Sequence, residues 1–197
     1  MPLGATLRRF EVHLPDGSWR NILLGHRRPA DYPTGLGYLG MTVGRFANRL
    51  ADGRISIEGR DYQLDVNEAP NQLHGGSGGF HSRVWEVLGS GPDWVELGLV
   101  SPDGDQGFPG EVRVTARYEL VPGGAQVSYR ATTDAPTVVN LTTHPYFNAD
   151  GEALEHAIVA ATRPVERGPR DTAVLVAVWT VATLGVTAGL GDPSTIP

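Results

Sequence analysis

Val112-Arg113-Val114-Thr115-Ala116-Arg117-Tyr118-Glu119-Leu120-Val121 runs into Pro122-Gly123-Gly124 and out again as Ala125-Gln126-Val127-Ser128-Tyr129-Arg130-Ala131-Thr132. Two runs rich in Val, Tyr and Thr, joined by a Pro-Gly-Gly turn, read as a hairpin of extended strands. The same pattern continues outward on both sides. Val84 to Leu88 and Trp94 to Val100 precede the hairpin, and Thr137 to Thr142 follows it. Nearer the start, Leu7 to Leu14 alternates up to Pro15-Asp16-Gly17, and Trp19 to Leu24 returns. Arg54 to Ile57 and Arg60 to Leu64 flank Glu58-Gly59, with Ile55 and Ile57 on one face of a second candidate hairpin. No stretch carries a convincing amphipathic-helix period. Short strands at this spacing predict an all-β chain, a β-sandwich or barrel.

Composition bounds the rest. A length of 197 residues suits one sizeable domain, and 40% hydrophobic with 19% charged residues is ordinary for a globular protein. The absence of cysteine excludes a disulfide scaffold, a thiolate zinc site and a cysteine nucleophile. A net charge of −6 argues against a nucleic-acid partner. All 16 basic residues are Arg and none is Lys, which we read as coding bias. The first nine residues lack the apolar core of a signal peptide, so a cytoplasmic location is expected.

Thr172 to Leu190 contains no charged residue. Its Thr and Gly content, and the lack of a basic anchor after it, disfavour a membrane span, and we read it as a poorly packed apolar tail. The pattern changes near residue 163, which divides the chain into a β domain over 1–162 and a divergent tail over 163–197.

Three segments carry polar groups that a strand-and-turn scaffold does not need. Gly44-Arg45-Phe46-Ala47-Asn48-Arg49 places two Arg four residues apart, either as a donor fork for hydroxyl or carboxylate oxygens or as a solvated or salt-bridged pair. Asn71-Gln72-Leu73-His74-Gly75-Gly76 puts a histidine in a glycine-rich loop, where backbone can approach a ligand. His81, further along that loop, reads as a surface residue. Asn140-Leu141-Thr142-Thr143-His144-Pro145-Tyr146-Phe147-Asn148 ends a strand in hydrogen-bonding groups, with His144 placed to move a proton near neutral pH. None of the six His forms an HxH or HxxxH pair, so no metal site is expected. Neither a GxSxG elbow nor a phosphate loop is present.

Together with Ser101-Pro102-Asp103-Gly104-Asp105-Gln106-Gly107-Phe108-Pro109-Gly110, these segments resemble the aldose 1-epimerase (galactose mutarotase) family in order and spacing. The resemblance runs from Gly4 to about Val159 and implies a large antiparallel β-sandwich with an open cleft for a free hexose. It implies that His144 is the general acid, that His74 is the second cleft histidine, and that Asn48 and Arg49 hold sugar oxygens. Pro145 and Tyr146 fall in the stretch that touches substrate. Phe108 stands where many relatives carry a tyrosine, which removes one hydrogen bond. The implied reaction opens and recloses a hexose hemiacetal, interconverting α and β anomers of galactose or glucose, with no metal or redox cofactor.

The same resemblance implies a glutamate base and a sugar-binding aspartate in the family's C-terminal portion. Glu152, Glu155 and Glu166 do not stand at the base position. The expectation is therefore an incomplete sandwich, a truncated or frame-disrupted copy. Its alternative function is that of a sugar-binding remnant without the base. A relative acting on hexose 6-phosphates would need further cations, and Arg45 is the only spare. Oligomeric state is not readable from the sequence.

Overall fold

The long hairpin supplies two of the four strands of the main sheet. In the computed structural model, which describes residues 1–33 and 37–148, its arms pair without interruption from Val112↔Thr133 to Val121↔Gly124. The described strands, in chain order, are β1 (Glu11–His13), β2 (Trp19–Asn21), β3 (Thr42–Val43), β4 (Arg49–Leu50), β5 (Arg54–Ile57) and β6 (Arg60–Gln63). After these come β7 (Gln72–Leu73), β8 (Glu86–Ser90), β9 (Trp94–Ser101), β10 (Val112–Val121), β11 (Gly124–Thr133) and β12 (Thr142–Thr143). One antiparallel sheet has the order β11-β10-β9-β8, and the other pairs are β1-β2, β12-β3, β4-β7 and β5-β6. Among the described residues the helical elements are four short 3-10 turns. None of the described helices is long and apolar enough to cross a membrane. The tail at 163–197, the uncharged stretch within it, and Glu152, Glu155 and Glu166 lie outside the described residues.

The alternation within β9, β10 and β11 decides what the sheet covers. Leu97, Leu99, Val112, Val114, Ala116, Val127 and Tyr129 face inward and are buried. Ala5, Phe80, Trp85, Val139 and Leu141 close over them as one cluster. Both short hairpins form where expected. In the second, Glu58 and Gly59 take φ of 50° and 78°, the two positive values that a tight hairpin turn requires.

Thr137 to Thr142 differs from the expectation. Only Thr142–Thr143 forms ladder pairs, with Val43 and Thr42. Val139 and Leu141 still alternate into the core, at 2% and 0% exposure. The alternation there reports burial. Strand pairing fails because Asn140 turns aside to bridge Phe46 in parallel.

Three buried hydroxyls connect sheet to cleft. Thr42 Oγ1 lies 3.0 Å from the Tyr118 hydroxyl and 3.1 Å from that of Tyr129, and Tyr118 donates to the Ala5 carbonyl at 2.6 Å. Burial raises the pKa of both tyrosines, so each stays a neutral donor. Thr42 thereby ties β3, and β12 beside it, to the middle of the main sheet.

Candidate functional site

His144 leaves the end of β12 with its backbone fixed on both sides. Its N–H donates to the Met41 carbonyl at 2.8 Å, and its carbonyl accepts from Gly40 at 2.9 Å. His74 leaves the end of β7 in a left-handed conformation, φ 53°. The two imidazoles meet edge to face with centroids 5.3 Å apart. The structure thus brings together two histidines seventy positions apart.

Asn48 and His74 are joined through the main chain. His74 N–H donates to the Asn48 carbonyl at 3.1 Å, and Asn48 N–H donates to His74 Nδ1 at 3.0 Å. The second bond fixes the tautomer: Nδ1 is an acceptor, so the proton of the neutral ring sits on Nε2. Burial, followed by the nearby charges of His144, His81 and Arg49, lowers the His74 pKa to about 4. At neutral pH His74 is an uncharged Nε2–H donor.

Gly75 makes this approach possible. A Cβ there would lie 1.8 Å from the Gly44 carbonyl oxygen, so no other residue fits between the two loops.

Arg49 lies on the rim, held by Glu68 through Nε at 2.5 Å and Nη2 at 2.7 Å. Half of its side chain is exposed, so a ligand oxygen can reach the guanidinium. Pro145 is half-buried, and Tyr146 is 38% exposed with its ring 5.0 Å from that of His144. All six residues expected at the site, Asn48, Arg49, His74, His144, Pro145 and Tyr146, belong to this one region.

Two corrections follow, at Arg45 and at His81. Arg45 is not free to meet a ligand: it is 1% exposed. Its guanidinium donates to Ser101 Oγ at 2.9 Å and to the carbonyls of Ser101, Pro102 and Pro109 at 3.1, 2.9 and 2.9 Å. Burial lowers its pKa to about 10, which leaves it cationic at neutral pH. It is not a spare cation for a sugar phosphate. Phe108 is fully buried, with Arg45 5.6 Å above its ring, so the Ser101–Gly110 stretch acts here as the clamp on Arg45.

His81, read as a surface residue, is largely buried, and its Nδ1 is buried without a partner among the described residues. Burial lowers its pKa to about 4.

Tyr38 is the member of the cluster that the sequence did not disclose. Its ring meets those of His74 and His81 edge to face, each at 4.8 Å, and lies 6.1 Å from His144. Burial raises its pKa and keeps the phenol protonated. Glu68 was likewise missed. Its signal was weak, a carboxylate six residues before His74. Among the described residues no group of three or more His, Asp or Glu is placed to hold a metal ion.

Comparison with known proteins gives a consistent result. The aldose 1-epimerase family model matches residues 1–169. An aldose 1-epimerase of Escherichia coli K12 is 43% identical over 153 residues, 77% of this chain and 44% of the relative. A galactose mutarotase of Rattus norvegicus is 41% identical over 151 residues, 76% of this chain and 43% of the relative. Among solved structures, an aldose epimerase homologue from C. elegans superposes with a TM-score of 0.73 at 31% identity, over 77% of this chain and 47% of that one. A galactose 1-epimerase from Lactobacillus acidophilus gives 0.65 at 34% identity, over 75% and 44%. The chain spans less than half the length of the relatives it matches.

Proposed function

The chain belongs to the aldose 1-epimerase family, and from that membership we propose that it interconverts the α and β anomers of a free hexose, such as galactose or glucose, in cytoplasmic hexose metabolism. The observation that carries the reading is the facing pair His74–His144 beside the Asn48–Arg49 rim. In the proposed step, His144 gives a proton to the ring oxygen as the C1–O5 bond breaks, while a base removes the proton of the anomeric hydroxyl. Rotation about C1–C2 then presents the other face of the aldehyde, and the reverse transfers close the ring. Neutral His74 donates its Nε2–H to the oxygen on which charge develops, and Arg49 and Asn48 hold neighbouring hydroxyls. Pro145 and Tyr146 line the approach. We assign this role to the β domain over 1–162 and none to the tail over 163–197.

The base is the open member of the scheme. Among the described residues, Glu68 is the carboxylate at the rim, and it is committed to Arg49. That observation favours the second reading, a module that binds sugar without turnover.

Polarimetry of α-D-glucose and α-D-galactose separates the two. Catalysis predicts acceleration over the spontaneous rate that falls about 10²–10⁴-fold in His144→Ala. A folded chain that shifts with sugar but leaves the rate unchanged supports the binding module and overturns the epimerase reading. In either case Arg49→Ala should weaken sugar binding by about 1.5–3 kcal/mol, the worth of a charged hydrogen bond. Titration calorimetry measures it, and unchanged affinity would remove Arg49 from the site.

A further inference from the structure

The outer face of the four-stranded sheet is turned away from the cleft and carries a shallow groove of about 640 Å³. The strand register defines a single cross-strand row along it. Arg130 on β11 faces Thr115 on β10, Thr115 faces Gly98 on β9, and Gly98 faces Glu86 on β8. The row is basic at one edge, small and neutral in the middle, and acidic at the other edge. Arg130 and Glu86 are both exposed, and neither has an ion-pair or hydrogen-bond partner among the described residues. Beside the row, Leu88 and Val100 stand 50% and 42% exposed.

This arrangement is complementary to itself. A second sheet, turned over about a two-fold axis that runs parallel to the strands between β9 and β10, sets its Glu86 over the first Arg130 and its Arg130 over the first Glu86. A row of one sign would repel its own copy. Leu88 lays its side chain over Gly98, where a Cβ would come within 2.9 Å of its Cδ1, so two faces stacked on this centre meet through apolar groups, and Leu88 and Val100 lose their exposure to water. We propose that this face is a self-association surface. Its occupant is a second copy of this chain, and two reciprocal Arg130–Glu86 ion pairs close the dimer around a centre of Thr115, Gly98, Val100 and Leu88. None of the residues that line this groove belongs to the His74–His144 site, so the dimer leaves that site uncovered.

Sedimentation velocity of the 197-residue chain over a concentration series, at low and high salt, reads the association. The expected result is a monomer–dimer equilibrium that weakens as salt screens the ion pairs. Arg130→Glu and Glu86→Arg should each weaken dimerisation about tenfold or more, and the double variant should restore it. Both positions face solvent in the monomer, so circular dichroism should stay unchanged in all three variants. A second test uses the absence of cysteine: Thr115→Cys introduces a single thiol near the proposed axis, and a short bis-maleimide should couple it to its twin. A monomer mass at every concentration overturns the proposal. So does a dimer that survives both single reversals, a double variant that stays dissociated, or a Thr115→Cys chain that does not couple.

Discussion

Arg45 and Arg49 occupy one short segment and have opposite fates. Arg45 is buried and ringed by the oxygens of Ser101, Pro102 and Pro109, whereas Arg49 rests on Glu68 at the surface. The physical consequences differ accordingly. Arg45→Met leaves several buried acceptors without a donor and should lower unfolding stability by about 3 kcal/mol or more. Arg49→Met removes an exposed ion pair and should change stability by about 1 kcal/mol or less. Urea denaturation of the two variants measures both, and equal losses would refute the division of labour. Sequence could not divide them, because the acceptors that claim Arg45 lie more than fifty positions downstream. That Arg49, Asn48, His74 and His144 share one region was legible because a family pattern names those positions. Tyr38 and His81 were not, since an aromatic among glycines and a second loop histidine carry no local mark of the ring cluster they share.

Among the elements, those with a strong local signal were legible. Both arms of the long hairpin and the turns at Pro15-Asp16-Gly17, Glu58-Gly59 and Pro122-Gly123-Gly124 follow from turn chemistry. Of the two-residue pairs β3-β12 and β4-β7, β12 falls at the end of the Thr137 to Thr142 run read as a strand, whereas β3, β4 and β7 were not read as strands, because each is set by the packing around it. The two pairs are also those that carry His144 and His74. Leu141 makes the dependence testable. It is fully buried, lies one residue before β12, and touches the space in front of Gly44, where a Cβ would come within 2.5 Å of its Cδ2. Leu141→Ala should cost about 2–5 kcal/mol and leave β12 poorly anchored. Amide exchange at Thr143 and His144 should then quicken more than exchange in β10, and uniform quickening would show that β12 is not locally coupled to the core. The reciprocal change, Gly44→Ala, drives a methyl into Leu141 and Phe80 and should destabilise by about 1–3 kcal/mol in thermal melts.

For the molecule as a whole, the two buried histidines set a pH dependence. His74 and His81 are both lowered from 6.5 to about 4 in the folded chain. Between those values the unfolded chain binds more protons than the folded one, so stability is complete above pH 6.5 and is lost as pH falls towards 4. The melting temperature should drop across that window. The drop should shrink in His81→Phe, which cannot titrate, and an equal drop in that variant would mean that His81 is already solvated. The net charge of −6 does not reproduce this window, because carboxylates titrate mostly below it.

The main sheet is a meander, each strand hydrogen-bonded to its neighbour in the chain from Glu86 to Thr133, while the cleft is assembled from Tyr38, Asn48, His74 and His144. The first kind of structure needs only short-range closure, and the second needs ends of the chain that are far apart to arrive together. A preparation can therefore show a full complement of β signal and still hold no working cleft. Under either proposed reading, sugar bound per milligram would then count the fraction of molecules whose late contacts have formed, and slow refolding would recover ellipticity before it recovers sugar binding.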